Sequence, residues 1–348
     1  MRTLFLALFL SLAAAHGSTA AAGWQEVVLS VSDLTRTDEF LRRVGGWVRI
    51  DSGRVDPAEL ALWDIPDGVT ARYALLRAPG ETTGAVRLIE FSDALRLQPL
   101  RNAARVWEAG GIGGVNVRIR SIDEALPDFR LAGWQGHSKP VRFSLQEFTV
   151  VEVMLTQNDG ITFTPIERVS PPLTDWNLGS GFSGPFNAFE VVADFNRSIH
   201  FYEQGLGMRT VREESGVLGR SGPNIFGLPH DMPPSIERRL RWLHPDGPSA
   251  RNGTLAVMGF SGISGSVHAQ SSTVHALGIV ALRMPVDDAV AVAMRLSNMG
   301  YAIASTPRML RIHPFGTVCA FSVTSPDGAW WDIFSTSGQS TKTACRAP

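Results

Sequence analysis

The sequence predicts an α+β protein made of four βαβββ units, and three observations carry this. "GGVNVRIRSIDEALPDFRLAGWQGHSKP", from Gly113, and "LGIVALRMPVDDAVAVAMRLSNMGYAIASTP", from Leu277, both read as strand, acidic turn, amphipathic helix, glycine with an aromatic, strand and proline. "VVLSVSDLTRTDEFLRRVGGW", from Val27, and "FEVVADFNRSIHFYEQGLGM", from Phe189, share a second pattern, in which an alternating strand runs into an aspartate and then a helix. After each helix come short β-rich runs separated by turn residues, among them "AVRLIEFS", "FTVVEVMLT", "GTLAVMGFS" and "AWWDIFS".

Taken in order, Asp33 and Asp194 end their strands and can cap the helices that follow, with Phe40 and Phe201 seven positions on. Gly45 and Gly205 then stand where a helix stop belongs. The units fall at approximately residues 24 to 92, 113 to 168, 186 to 260 and 275 to 336. Two consecutive units are expected to make a domain, over 24–168 and 186–337, joined by the Pro- and Gly-rich 169–185 linker and followed by a 338–348 tail. Leu218 to Gly253 enlarges the third unit where a hairpin would do, as a binding loop or a surface elaboration.

Residues 1–22 carry one early basic residue, Arg2, an apolar run and the small residues of "STAAAG", which reads as a secretory signal too short to span a bilayer comfortably. The mature protein is therefore expected to be exported, to a periplasmic or extracellular space, with no membrane attachment after cleavage. A formal net charge of -1 and the lack of any basic run give nothing to draw the chain to nucleic acid, so a small molecule is the expected partner. The two cysteines, Cys319 and Cys345, are open to pairing or to standing as a buried thiol and a tail thiol, and they match no zinc spacing.

The four units, together with "DFNRSIHFYEQGLGM" from Asp194 and "SPDGAWWDIF" from Ser325, resemble the vicinal oxygen chelate superfamily of glyoxalases, bleomycin-resistance proteins and extradiol dioxygenases. The resemblance implies two glyoxalase-like domains, each curving an open sheet around a cavity, with metal ligands (usually His, Glu or Gln) on the first and last strand of each unit. In this chain those positions hold Glu26, Glu90, Gly114 and Thr164 in the first half and Asn187, Gly259, Gly278 and Asp332 in the second. The two imidazoles and carboxylate that an iron dioxygenase needs are missing.

Glu26 and Glu90 are expected to face one cavity, as a proton-sharing pair or as ligands to a divalent metal ion whose shell water completes. In the other, Asn187 and Asp332 can hydrogen-bond a ligand beside the flat wall of Trp330, while Trp331 points to the covering helix. His313, in "RIHPFG", is a candidate general base at a cavity mouth, or a plain surface histidine. "LPHD" and "LHPD" offer His230, Asp231, His244 and Asp246 for a peripheral metal site. Glu190 breaks the strand pattern, through a bulge or a register slip that would displace Asn187. The expected function is lyase- or isomerase-type acid/base chemistry on a small oxygenated organic molecule, with or without a divalent metal. The alternative is a binding protein of the same fold that sequesters a drug or metabolite.

Overall fold

A computed structural model describes residues 23–92, 97–145, 147–173, 181–249, 252–269, 273–336 and 345. Residues 1–22, where a signal is expected, part of the linker (174–180) and all of the tail except Cys345 lie outside the described residues. Each unit opens on a strand: Glu26–Ser30, Ile112–Ile119, Asn187–Val191 and Gly278–Pro285. A helix follows each: Leu34–Arg43, Ile122–Leu131, Phe195–His200 and Ala289–Asn298. The side chains of Asp33, Ser121, Asp194 and Asp288 accept from backbone N–H groups of the first helical turns, satisfying donors that have no partner within the helix.

Consecutive units do not share a sheet. The first sheet runs 308–312, 316–324, 330–336, 278–285, 26–30, 85–91, 71–77, 48–54, so it joins unit 4 to unit 1. The second runs 209–217, 237–244, 254–261, 187–191, 112–119, 162–170, 148–152, 141–145, joining unit 3 to unit 2. In each the two opening strands meet antiparallel at the centre, Glu26 opposite Arg283 and Asn187 opposite Asn116. The segments 24–168 and 186–337 thus each give one unit to each sheet. Either pairing joins one unit of each sequence pattern, so the repeat alone carries no information about which units meet.

The helices lie between the sheets in one shared apolar core. Phe40 of the first helix meets Phe129 of the second at 5.1 Å, edge to face, and Phe201 meets Tyr301 at 4.9 Å. Gly205 serves packing instead of stopping its helix, because a Cβ there would fall 2.5 Å from Leu296 Cδ2. The left-handed stops come one or two residues later, at Gly46 and Gly207. The enlarged segment of unit 3 contains a regular strand of that unit, Glu237–His244. The extra chain is the stretch between Val217 and Glu237, which lays Ile225 and Phe226 over the second sheet's concave face. Cys319, on the strand Gly316–Thr324, and Cys345 form a disulfide.

Candidate functional site

On the concave face of the first sheet five charged side chains make one buried cluster. Arg283, fully buried, donates from Nη1 to Glu26 at 2.7 Å, from Nε to Asp332 at 3.1 Å and from Nη2 to Glu59. Arg87 reaches Glu26 Oε1 at 2.6 Å from the other side. Asp332 also accepts from Ser322 Oγ at 2.6 Å and from Trp63 Nε1 at 3.0 Å. Burial lowers the guanidinium pKa of Arg283, but the charges of Glu59, Glu26 and Asp332 outweigh it and hold it above its ordinary value. Burial likewise pushes the Asp332 carboxyl up, against the pull of Arg283. A short helix, Pro57–Leu62, fills what is left of this concave face with Leu60, Leu62 and Trp63, against Val28, Ile89, Trp330 and Phe334.

The sequence-predicted residues are therefore regrouped. Glu26 and Asp332 meet around Arg283, whereas Asn187 lies in the other sheet. Trp330 is packed into the apolar filling, and Trp331 faces the helices with its Nε1 3.3 Å from Tyr202 Oη. His313 sits half-exposed at the rim, 2.8 Å from Asp51, which also accepts from Tyr73 Oη at 2.5 Å. Its carbonyl accepts from Arg87, so its backbone belongs to the buried cluster while its ring does not.

Glu90 does not enter a cavity. It accepts from the Leu34 N–H at 2.7 Å at the start of the first helix and pairs with half-exposed Arg72 at 2.9 Å. Its strand neighbours on the same face, Val86 and Leu88, pack toward the helices, whereas Ile89 and Phe91 face the concave side. Gly259 is on the helix side too, since a Cβ there would lie 3.3 Å from Phe195. Both positions are one residue out of phase with the cavity.

The open cavity belongs to the second sheet. It encloses about 380 Å³ between units 2 and 3. Its floor is the central pair of opening strands: Asn187 donates to Thr254 Oγ1 at 2.8 Å and accepts from Asn116 Nδ2 at 3.2 Å. Four arginines, Arg118, Arg168, Arg212 and Arg238, and two carboxylates, Glu152 and Glu214, line it. Three of the arginines lie over aromatic faces: Arg118 on Phe186 at 4.0 Å, Arg168 on Phe148 at 3.7 Å and Arg212 on Trp242 at 5.2 Å. Glu214 pairs with Arg212 and, at 3.5 Å, with Arg238. Desolvation in the cup wall raises the Glu152 carboxyl to about 7, against the opposing pull of Arg238 and Arg118. Burial pulls Arg118 down to about 10. A carboxyl poised near neutrality among cationic donors can take up and return a proton while the arginines hold negative charge. A larger groove of about 740 Å³ opens beyond Phe226, which lines both spaces, and the groove has no carboxylate in its wall.

Glu190 is the sequence's other anomaly, and its strand neither bulges nor slips: the extra residue in the pairing is Gly113 of the partner strand, Glu190 faces the helices between Ala188 and Val192, and Asn187 stays on the cup floor. Fully buried, Glu190 takes Ser325 Oγ at 2.6 Å and the Tyr202 hydroxyl, and desolvation with the nearby Asp327 charge raises it to about 8. A carboxyl whose pKa is raised on folding adds stability that is complete below its unfolded pKa, roughly 4.3, and is lost as pH rises through the folded value. Stability of wild type to thermal unfolding is expected to fall progressively from pH 5 to pH 9, whereas Glu190→Gln flattens that part of the profile; equal slopes would show that Glu190 is ionised throughout.

The positions implied for metal ligands do not suit an ion in either half. In the second sheet, a Cβ at Gly114 would lie 2.5 Å from the Phe189 ring, Thr164 offers only a hydroxyl, and the Asn187 amide is engaged by Thr254 and Asn116. In the first, Glu26 and Asp332 are neutralised by guanidinium groups. His244 Nδ1 accepts from the Asp246 N–H at 2.9 Å, a local turn contact. Among the described residues no three His, Cys, Asp or Glu side chains are gathered to hold an ion.

Four βαβββ units in two curved sheets, one with an open cup lined by polar and aromatic groups, make a tandem scaffold. Residues 188–333, units 3 and 4, match the model of the Glyoxalase/Bleomycin resistance protein/Dioxygenase superfamily, and this stretch belongs to that superfamily. Its fold is similar to glyoxalase I from Zea mays (16% identity, TM-score 0.59, 91% of this chain and 93% of that chain) and to a point mutant of the same protein (17%, 0.59, 91% and 94%). A Bacillus subtilis protein is similar at 11% identity and TM-score 0.52, over 95% and 93% of the two chains. No curated protein sequence matches the chain significantly. At these identities the likeness extends to the fold.

Proposed function

We propose that the cup of units 2 and 3 binds a small oxygenated organic anion and that Glu152 transfers a proton on it, a lyase- or isomerase-type reaction carried out after export. The observation that carries this reading is the placement of one carboxyl poised near pH 7, Glu152, in a cup whose wall also holds four arginines and one further carboxylate, Glu214. As carboxylate, Glu152 would draw a proton from a carbon or hydroxyl next to a carbonyl; Arg118 and Arg238 would take the negative charge left on oxygen, and Glu152 would return the proton at a neighbouring atom. No step is assigned to a metal ion, because the donor sets above do not suit one. Residues 1–22 and the Cys319–Cys345 disulfide support export.

A binding protein is the second reading, favoured by the arginines already stacked on Phe186, Phe148 and Trp242, which offer an ordered anion cradle without chemistry. The two are told apart by incubating the protein in D₂O with a panel of small oxo- and hydroxycarboxylates and following ligand protons by NMR. Proton transfer exchanges a C–H for deuterium in a ligand that binds; ligands that bind and keep every C–H would establish the binding protein.

A further inference from the structure

We infer that Arg283 is the resident cation of the unit 1 and unit 4 half: its guanidinium takes the place of a divalent ion, making this half a charge-locked scaffold with a latent metal site. The three nitrogens of this one side chain each reach a carboxylate from a different element. Nη1 meets Glu26 of the first strand of unit 1, Nε meets Asp332 of the last strand of unit 4, and Nη2 meets Glu59 of the short helix that lies in the cup. Arg283 itself stands on the opening strand of unit 4, directly across from Glu26, and Arg87 stands on the last strand of unit 1. The four innermost strands thus contribute one charged residue each, all fully buried or nearly so.

Three negative charges meet two positive ones inside an apolar setting, where an unpaired charge is costly. Held apart by the guanidinium, the carboxylates form no ion cage in the wild type. Remove the guanidinium and three hard oxygen donors face a void of side-chain size with only Arg87 left to balance them, the setting in which a hydrated Mg²⁺, Ca²⁺ or Mn²⁺ is held. The second sheet has no such carboxylate set: its central strands present Asn116, Asn187 and Thr254. The halves have divided the work, one fixed by internal charge and one left open.

The test uses the full chain, wild type and Arg283→Ala, unfolded by heat with EDTA or with Mn²⁺, and Mn²⁺ uptake counted by electron paramagnetic resonance. Wild type is expected to melt at the same temperature in both and to bind no stoichiometric Mn²⁺. Arg283→Ala is expected to melt far lower in EDTA, to regain several degrees in Mn²⁺ and to bind one equivalent, and Arg283→Ala with Asp332→Asn to lose that response. If Arg283→Ala is recovered only in aggregates, it is refolded from denaturant with and without Mn²⁺: recovery that needs the ion supports the proposal. Failure in both conditions, an Arg283→Ala protein indifferent to Mn²⁺, or a wild type that carries stoichiometric metal would overturn it.

Discussion

Glu152→Gln is expected to leave the protein folded and its ligand bound while slowing proton transfer by roughly 10²- to 10⁴-fold, the range for loss of a positioned acid or base. The amide keeps the shape of the carboxyl and removes its proton chemistry. In wild type the rate should climb as pH rises toward and through about 7, because desolvation holds Glu152 protonated below that value and it acts as a base only when ionised. Binding of an anionic ligand should not fall in the variant, since removing a negative charge from beside Arg118 and Arg238 frees both for the ligand. A Glu152→Gln protein with an unchanged rate and pH profile would remove this side chain from the chemistry.

Glu26→Ala is expected to cost about 3–5 kcal/mol of stability, the usual consequence of stripping one partner from a buried ion pair. Both Arg87 and Arg283 lean on this carboxylate, and neither has water to replace it. Glu90→Ala should cost only about 1 kcal/mol, through the lost acceptor for the Leu34 N–H and a pair with a half-exposed arginine. Urea titrations of the two variants compare them directly. Similar losses from both would contradict the separation of these two glutamates onto opposite faces of the sheet.

That separation shows where sequence reading stopped. Helix starts at Asp33 and Asp194 and the opposed directions of Trp330 and Trp331 follow from local chemistry and strand parity, which a single chain displays. In "AVRLIEF" both faces are covered, one by helices and one by the filled concave side, so apolar residues occupy both parities and Glu90 cannot be phased by eye. Which units share a sheet is a long-range choice that a repeat does not encode, and it moved Asp332 from the side of Asn187 to that of Glu26. The cup residues did leave a signal that the ligand-position reading passed over. Asn116 with Arg118, Ile166 with Arg168, Arg238 with Leu240 and Trp242, and Val150 with Glu152 and Met154 alternate along their strands, placing charge on a face that an ordinary core would keep apolar.

The central claim is that ligands enter the half built by units 2 and 3 and not the half locked by Arg283. The nine tryptophans report on this one by one when the protein is labelled with 5-fluorotryptophan and followed by ¹⁹F NMR, with Trp242 in the cup wall and Trp63 against Asp332. Titration with a panel of small organic carboxylates should shift the Trp242 resonance and leave Trp63 in place. Ligands that shift Trp63 and spare Trp242 would contradict the account.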